Sequence, residues 1–400
     1  MNLKQLGILI VAVVLIGGAA LLLHNKQSGS WSTNSGEAGK KLLGNFPIND
    51  VSHIAIKEGT NELNLVKKDD LWRVHERGDY LANFQQISEF LLKARDLKIV
   101  QAEEIGPSQL ARMGLAQGQG SNAAVVVDFK DQSDKSIRTL LLGKKHMKKP
   151  AGQPSQFEGE DGFADGRYVQ VGQDPKMVDV ISDPLENMEP KPDQWLNKDF
   201  FRIEKPKEIA LDLPVATNSW KLTRETEAGE WKLASAKKGE DLDSSKVSGV
   251  SSPFTSASFN DVLPGAKPEP AGTNKPTVVN IQTFDGFDYN ITLGAKSNDD
   301  YFTTLTVTGQ FPKARSLGKD EKPEERARLD KEFADAQLKL ADKLKQEQGY
   351  EHWTYLVPSW VVDPLLKNRG ELLAEKTNST PERIVGTNQV SLDGVSAVKN

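Results

Sequence analysis

The 400-residue chain contains no cysteine, which removes disulfides, a thiol nucleophile, an iron–sulfur ligand set and a lipobox cysteine from consideration. It has no excess of positive charge either. Lys and Arg number 51 against 56 Asp and Glu, a formal net charge of −5, whereas a dedicated nucleic-acid binder draws its affinity from neutralising phosphates. Nucleic acid is therefore not an expected partner. A phosphate-binding loop needs two glycines bracketing four residues before Lys and Ser or Thr, so that backbone amides surround the phosphate. Gly39-Lys40 and Gly143-Lys144 lack both the upstream glycine and the hydroxyl, so no nucleotide is expected on this chain, and an ATP-driven partner would be another polypeptide. The histidines, His24, His53, His75, His146 and His352, are scattered, and none forms the His-Glu-x-x-His pair that sets two imidazoles on one helical face. No Gly-x-Ser-x-Gly elbow occurs. No catalytic, cofactor-binding or metal-ligating residue is assigned on these grounds, and no cofactor is expected. A Ser-His-Asp or zinc site assembled from distant segments lies beyond such a reading.

What is present is enough polar and apolar mass for folded domains, with 37% hydrophobic and 27% charged residues, and a length that allows two or three folded units. One segment departs from this composition. Leu6 to Leu23 runs eighteen residues without a charge, and a helix of that length covers about 27 Å of a hydrocarbon core about 30 Å thick. A cleavable signal has a shorter apolar region ending at small residues. Here Gly17, Gly18, Ala19 and Ala20 are followed by three further leucines, so an uncleaved anchor is the reading. Lys4 precedes the span, and His24 and Lys26 follow it. A cytoplasmic stub 1–5 with the body exported suits a bacterial inner-membrane, single-pass protein facing the periplasm. Residues 24–45 include a Ser-, Gly- and Asn-rich run and read as a flexible tether. Trp31 within it suits a membrane interface or an incidental exposed aromatic.

Beyond the tether the sequence repeats itself. His53 to Ile56, Leu63 to Val66 and Leu71 to Val74 are three short alternating segments separated by polar turns, and Ile209 to Leu211, Trp220 to Leu222 and Glu230 to Leu233 repeat them. Period-2 alternation is the mark of antiparallel strands with one buried face. Each meander leads to a helix. In the first, Phe84, Ile87, Phe90, Leu91 and Ala94 follow a possible Asn83 cap; in the second, Asp243 precedes Val247, Val250 and Phe254. Paired strands come next, Ala124 to Phe129 with Ile137 to Leu142, and Thr277 to Phe284 with Tyr289 to Leu293, each pair expected to end in Leu-Gly. The repeated Trp72 and Trp231 lie 159 residues apart, and Gly143 and Gly294 lie 151 apart. Trp72 and Trp231 read first as core anchors.

The closing segments are expected to match as Tyr168 to Val171 with Tyr355 to Val357, and Met177 to Val180 with Val361 and Val362. The second copy then holds a charged insertion at about 320–348. Leu329, Phe333, Ala336, Leu340 and Leu344 mark it as an amphipathic helix with a narrow apolar stripe, packing on its own domain or serving a partner. The fold class is α+β: a single amino-terminal transmembrane helix, then two tandem antiparallel-sheet-plus-helix modules at 46–200 and 201–370, with a polar tail at 371–400.

The Trp strand, short capped helix, strand pair closing on Leu-Gly and following Tyr strand resemble the DUF4340 family of bacterial envelope proteins, over roughly 46–370 and in two copies. The resemblance implies one amino-terminal span, an extracytoplasmic body and, for some members, association with gliding-motility-type ABC transporter components. It brings no catalytic signature to named positions. Two local clusters stand apart from it. Glu158, Glu160, Asp161 and Asp165 gather carboxylates without EF-hand spacing and read as a solvated hairpin loop rather than a calcium site. Lys144, Lys145, His146, Lys148 and Lys149 read as a charged turn guarding a sheet edge, with contact to anionic headgroups or an acidic partner as the alternative. The function expected is a non-catalytic, membrane-anchored accessory or binding subunit of an envelope complex with protein partners. The alternatives are an envelope hydrolase with a site between the modules and a structural periplasmic tether.

Overall fold

The computed structural model describes residues 32–33, 37–105, 107–116, 118, 123–148, 163–172, 177–265, 275–317 and 321–375. The stub 1–5, the span Leu6–Leu23, His24, Trp31, Lys149, Glu158, Glu160, Asp161 and the tail from residue 376 lie outside the described residues. Among the described residues no helix is long and apolar enough to cross a membrane.

Alternation of apolar and polar residues builds two antiparallel sheets. The first comprises β1 (Ser32–Thr33), β2 (His53–Glu58), β3 (Asn61–Lys68), β4 (Leu71–Val74), β5 (Tyr80–Leu81), β6 (Ile99–Glu104), β7 (Val125–Lys130), β8 (Ser136–Lys148), β9 (Phe163–Val171) and β10 (Met177–Ile181). The second comprises β11 (Pro206–Asp212), β12 (Trp220–Thr223), β13 (Lys232–Leu233), β14 (Asp261–Leu263), β15 (Thr277–Thr283), β16 (Phe287–Ser297), β17 (Asp300–Gly309) and β18 (Thr354–Pro358). Their spatial orders are β1-β6-β10-β9-β8-β7-β2-β3-β4-β5 and β13-β12-β11-β15-β16-β17-β18-β14. With β1 and β5 set aside, the two orders are the same: a reversed three-strand meander, four further strands, then the strand that follows the helix.

Two helices start where the caps predict. Asn83 Oδ1 accepts from Gln86 N at 3.1 Å to start α1 (Phe84–Asp96), which buries Ile87, Phe90, Leu91 and Ala94. Phe84, placed in the apolar stripe by sequence, instead stands 67% exposed in the first turn. A four-residue turn, α2 (Pro107–Leu110), follows β6. Asp243 accepts from Ser245 N and Lys246 N to start α3 (Ser244–Ser248), with Val247, Val250 and Phe254 buried behind it. The insertion is α4 (Pro323–Gln348), and a last turn, α5 (Ser359–Val362), follows β18.

Six sequence expectations are corrected here. The expected tether 24–45 is packed at its end, where Leu42 and Leu43 are buried and Gly39 N donates to Ile99 O, and the expected tail 371–400 does not begin at 371, because Leu372 is buried in the core. Gly143 and Gly294 do not end their strands, because β8 runs on to Lys148 and β16 to Ser297. Each Leu-Gly instead sits at a register shift, between Leu142 and Lys145 against β9 and between Leu293 and Lys296 against β17, where a small residue suits the local bend. The counterpart of β9 in the second sheet is β17, a Thr-rich strand absent from the sequence reading, so Tyr355–Val357 corresponds to β10, and Val361–Val362 is helical. Trp72 is buried, but Trp231 lies outside β13, half-buried beneath the Arg224 guanidinium at 4.7 Å. Lys144 to Lys148 lie within a strand rather than in a turn.

A continuous cluster of buried side chains runs through both halves. The connection between the sheets is part of it: Trp195, Leu196, Phe201 and Ile203 are buried, Asn83 N donates to Trp195 O at 2.8 Å, and Ile203 N donates to Phe254 O. Along α4 only the carboxy-terminal end reaches this core, through Leu340, Leu344 and buried Glu347. Leu329 and Phe333 are half-buried, whereas Ala336 is exposed, so the stripe packs on its own domain at one end.

Candidate functional site

The seam between the sheets is built by a tight turn. After the 3-10 turn His75–Arg77, Gly78 takes φ of +61°, and its N–H donates to His75 O. A Cβ on Gly78 would lie 2.7 Å from Pro264 Cβ, so glycine is needed for both its conformation and its space. The close approach brings Arg77 against Asp261 of β14: Nε donates to Oδ1 at 2.7 Å and Nη2 to Oδ2 at 2.8 Å. This forked geometry is the strong form of an ion pair, and Asp261 raises the guanidinium pKa further.

The same turn delivers Tyr80 into an aromatic group contributed by both halves. Its ring lies edge-on to Trp353 at 5.0 Å, Phe259 at 5.9 Å and Tyr355 at 6.2 Å. Phe200, on the connection, sits 4.6 Å from Tyr355 and 5.6 Å from Tyr350. Burial pushes the Tyr80 and Tyr350 hydroxyls up, away from ionisation, so they stay neutral donors.

Beside this group opens a cleft of about 490 Å³, within the range of small-molecule and peptide-side-chain pockets. Leu71 and Arg73 of β4, Tyr80 and Leu81 of β5, and Tyr350 and Trp353 after α4 form its walls. Polar groups also line it. Arg73 Nη1 donates to Asp79 O at 3.0 Å, and Asn197 accepts from Asp199 N at 2.8 Å, fixing the connection where Asp199 faces the cleft. The arrangement combines an aromatic floor, an exposed aliphatic lip at Leu71, one cation, one anion and the amides of Asn197 and Gln346. Such a surface can bind an amphipathic segment. Among the described lining residues Asp199 is the one carboxylate and no Ser–His pair occurs, so the convergent groups a hydrolase site calls for are not assembled there.

Elsewhere the structure pairs three of the five histidines with aspartates: His53 with Asp134 at 2.6 Å, His75 with Asp79 at 3.3 Å and His146 with Asp165 at 2.6 Å. His53 also meets Asn64 at 2.8 Å, and Asn64 passes the network to Glu76. Among the described residues no group of three His, Asp or Glu is placed to hold a metal. Asp165, expected in a solvated loop, stands in β9 and is taken by His146. The cleft residues escaped the sequence reading because they come from three distant segments. The adjacent aromatics Phe200 and Phe201, lying outside any strand pattern, were the one available signal.

These features define a class: a two-sheet antiparallel α+β protein whose halves share a core and enclose an aromatic cleft. The chain belongs to the family described as a domain of unknown function, DUF4340, which matches it over residues 72–276. The match is a single stretch from Trp72 in β4 to the residue before β15, where two copies over 46–370 were expected. Comparison with curated proteins and with solved structures gives no match.

Proposed function

We propose that this chain is a non-catalytic, membrane-anchored extracytoplasmic accessory or binding subunit of an envelope complex of the ABC-type transport or gliding type, held by Leu6–Leu23 in a bacterial inner membrane with its body in the periplasm. In this reading it consists of two copies of one ancestral unit. The shared strand order, with each Leu-Gly at an equivalent register shift, supports the duplication. The observation that carries the function is the cleft, whose lining joins the aromatic Tyr80, Tyr350 and Trp353 to the charged Arg73 and Asp199. That chemistry suits an extended or helical segment of a partner protein, with apolar side chains on Tyr80, Tyr350 and Trp353 and its polar groups at Arg73 and Asp199. A purely structural tether has no use for such a cleft.

Affinity purification of the full chain from detergent-solubilised native membranes tests the proposal. Recovery of transporter subunits in fixed ratio is the expected result; recovery of the chain alone would contradict it.

A further inference from the structure

Past its bulge at Gly143, β8 continues for five residues, Lys144 to Lys148, paired with β9. The other edge of this overhang is met by the segment after α2: Lys144 N donates to Met113 O at 2.7 Å. Gly114, with φ of +69°, permits the approach, since a Cβ there would lie 2.9 Å from Lys144 Cγ. Between them lies a second pocket of about 360 Å³. Its floor rests on a separate small core that includes Ile105, Met113, Leu115 and Leu141.

The pocket is lined by Arg112, Lys144, Lys145, His146, Tyr168 and Gln109. Three carboxylates lie around it and must be counted. Glu186 engages Lys145, and Asp165 engages His146 Nδ1. Glu103 on β6 interacts with the charge of His146, but burial pushes its own pKa up and so favours its neutral form. Arg112 and Lys144 have no carboxylate partner among the described residues. Gln109 adds a side-chain oxygen that is buried and unpartnered; its amide can equally be turned to offer N–H. The Tyr168 pKa is raised by burial, so its hydroxyl remains a donor.

The fold itself does not require this charge. The corresponding overhang of β16 reads Ala295, Lys296, Ser297, with one lysine where β8 has Lys144, Lys145 and Lys148. The tip of the β8–β9 ribbon also exposes apolar side chains beside the cations, Met147 at 43% and Phe163 at 46%. Charge plus apolar rim is the combination that meets a phospholipid surface.

We propose that this pocket binds a phosphate oxyanion, with Arg112 and Lys144 as the charge partners and the exposed tip favouring a phospholipid headgroup as its source. The lipid source rests on the membrane reading above. β1 pairs with Glu103 and Glu104 of β6, and the nine residues from Leu23 to Ser32 reach at most about 30 Å, which keeps this side of the first sheet near the anchor.

The test uses the full chain in non-ionic detergent, titrated with inorganic phosphate and separately with short-chain phosphatidylglycerol below its micellar concentration, at constant ionic strength. Saturable binding of at least one is expected. It should weaken at least tenfold in the double variant Arg112→Ala, Lys144→Ala, persist in Lys144→Arg and stay unchanged in Lys296→Ala. Binding of phosphate identifies a free oxyanion as sufficient, whereas binding of phosphatidylglycerol alone identifies the headgroup. Absence of saturable binding to either by the parent chain overturns the proposal, as does equal binding by a folded double variant. The readout needs neither a transporter partner nor a native membrane, so it fails independently of the proposed function.

Discussion

Buried polar groups show where single residues carry the most consequence. Glu347, at the end of α4, is 4% exposed, and its carboxylate accepts from Tyr289 Oη at 2.6 Å and from Arg202 N at 3.3 Å. These contacts offset part of the desolvation cost, although burial still raises its pKa. Asp179 on β10 lacks comparable help. Burial, with Glu37 nearby, pushes its pKa up to about 6. The native state therefore holds this proton more tightly than the unfolded chain does, so the contribution of Asp179 to stability is greatest below about pH 4 and is lost as pH rises through about 6. Asp179→Asn removes that decline. The variant should exceed the parent at pH 7 by about 1–2 kcal/mol, once partial solvent screening is allowed for, and match it at pH 4. Urea unfolding at the two pH values checks this, and an equal difference at both would contradict the assignment.

At the scale of elements, the Leu-Gly pairs act as bend points rather than strand ends. A Cβ on Gly143 would lie 2.4 Å from Met113 O, and neither backbone can yield without breaking the Lys144 N–Met113 O bond. Gly143→Ala should cost about 1–3 kcal/mol, whereas Gly172→Ala, with φ of +69° and open space around it, should cost about 1 kcal/mol from conformation alone. Comparing their urea midpoints separates clash from backbone strain. The alternating strands of both meanders and the capped starts of α1 and α3 were legible, because period 2 and an Asn or Asp cap are local signals. β17 was missed although Leu305 and Val307 alternate with threonines; its polar composition hid it, and that displaced the matching of Tyr168 and Tyr355 by one strand. Gly143 was read as a strand end and is a bend, because whether a glycine ends or bends a strand depends on what approaches it.

Over the whole molecule, the halves are joined by packing, by the Lys198 Nζ–Asn260 O hydrogen bond and, among the described residues, by one ion pair. Trp195 lies fully buried on the connection, with its Nε1 unpartnered among the described residues, and its rings pack near Phe90 at 6.1 Å. Nothing periodic announces such a residue, so the shared core and the cleft beside it were invisible in sequence. Arg77 and Asp261 lie 184 positions apart, beyond any motif. A double-mutant cycle with Arg77→Ala and Asp261→Ala should give a coupling of about 1–3 kcal/mol, and Arg77→Lys should recover less than half, because an ammonium cannot reproduce the fork. Coupling near zero would mean that this pair does not help to hold the halves, leaving apolar contact and the Lys198 Nζ–Asn260 O hydrogen bond to do so.

The proposed function requires the cleft between the sheets to receive a partner protein. A photoreactive phenylalanine analogue in place of Leu71, which is 49% exposed on the cleft lip, tests it most directly in native membranes, with Val215 as an exposed control outside the cleft. The account predicts a discrete crosslinked adduct with another membrane polypeptide from position 71, weakened by Arg73→Glu and absent from position 215. No adduct at position 71, or the same adduct from both positions, would contradict it.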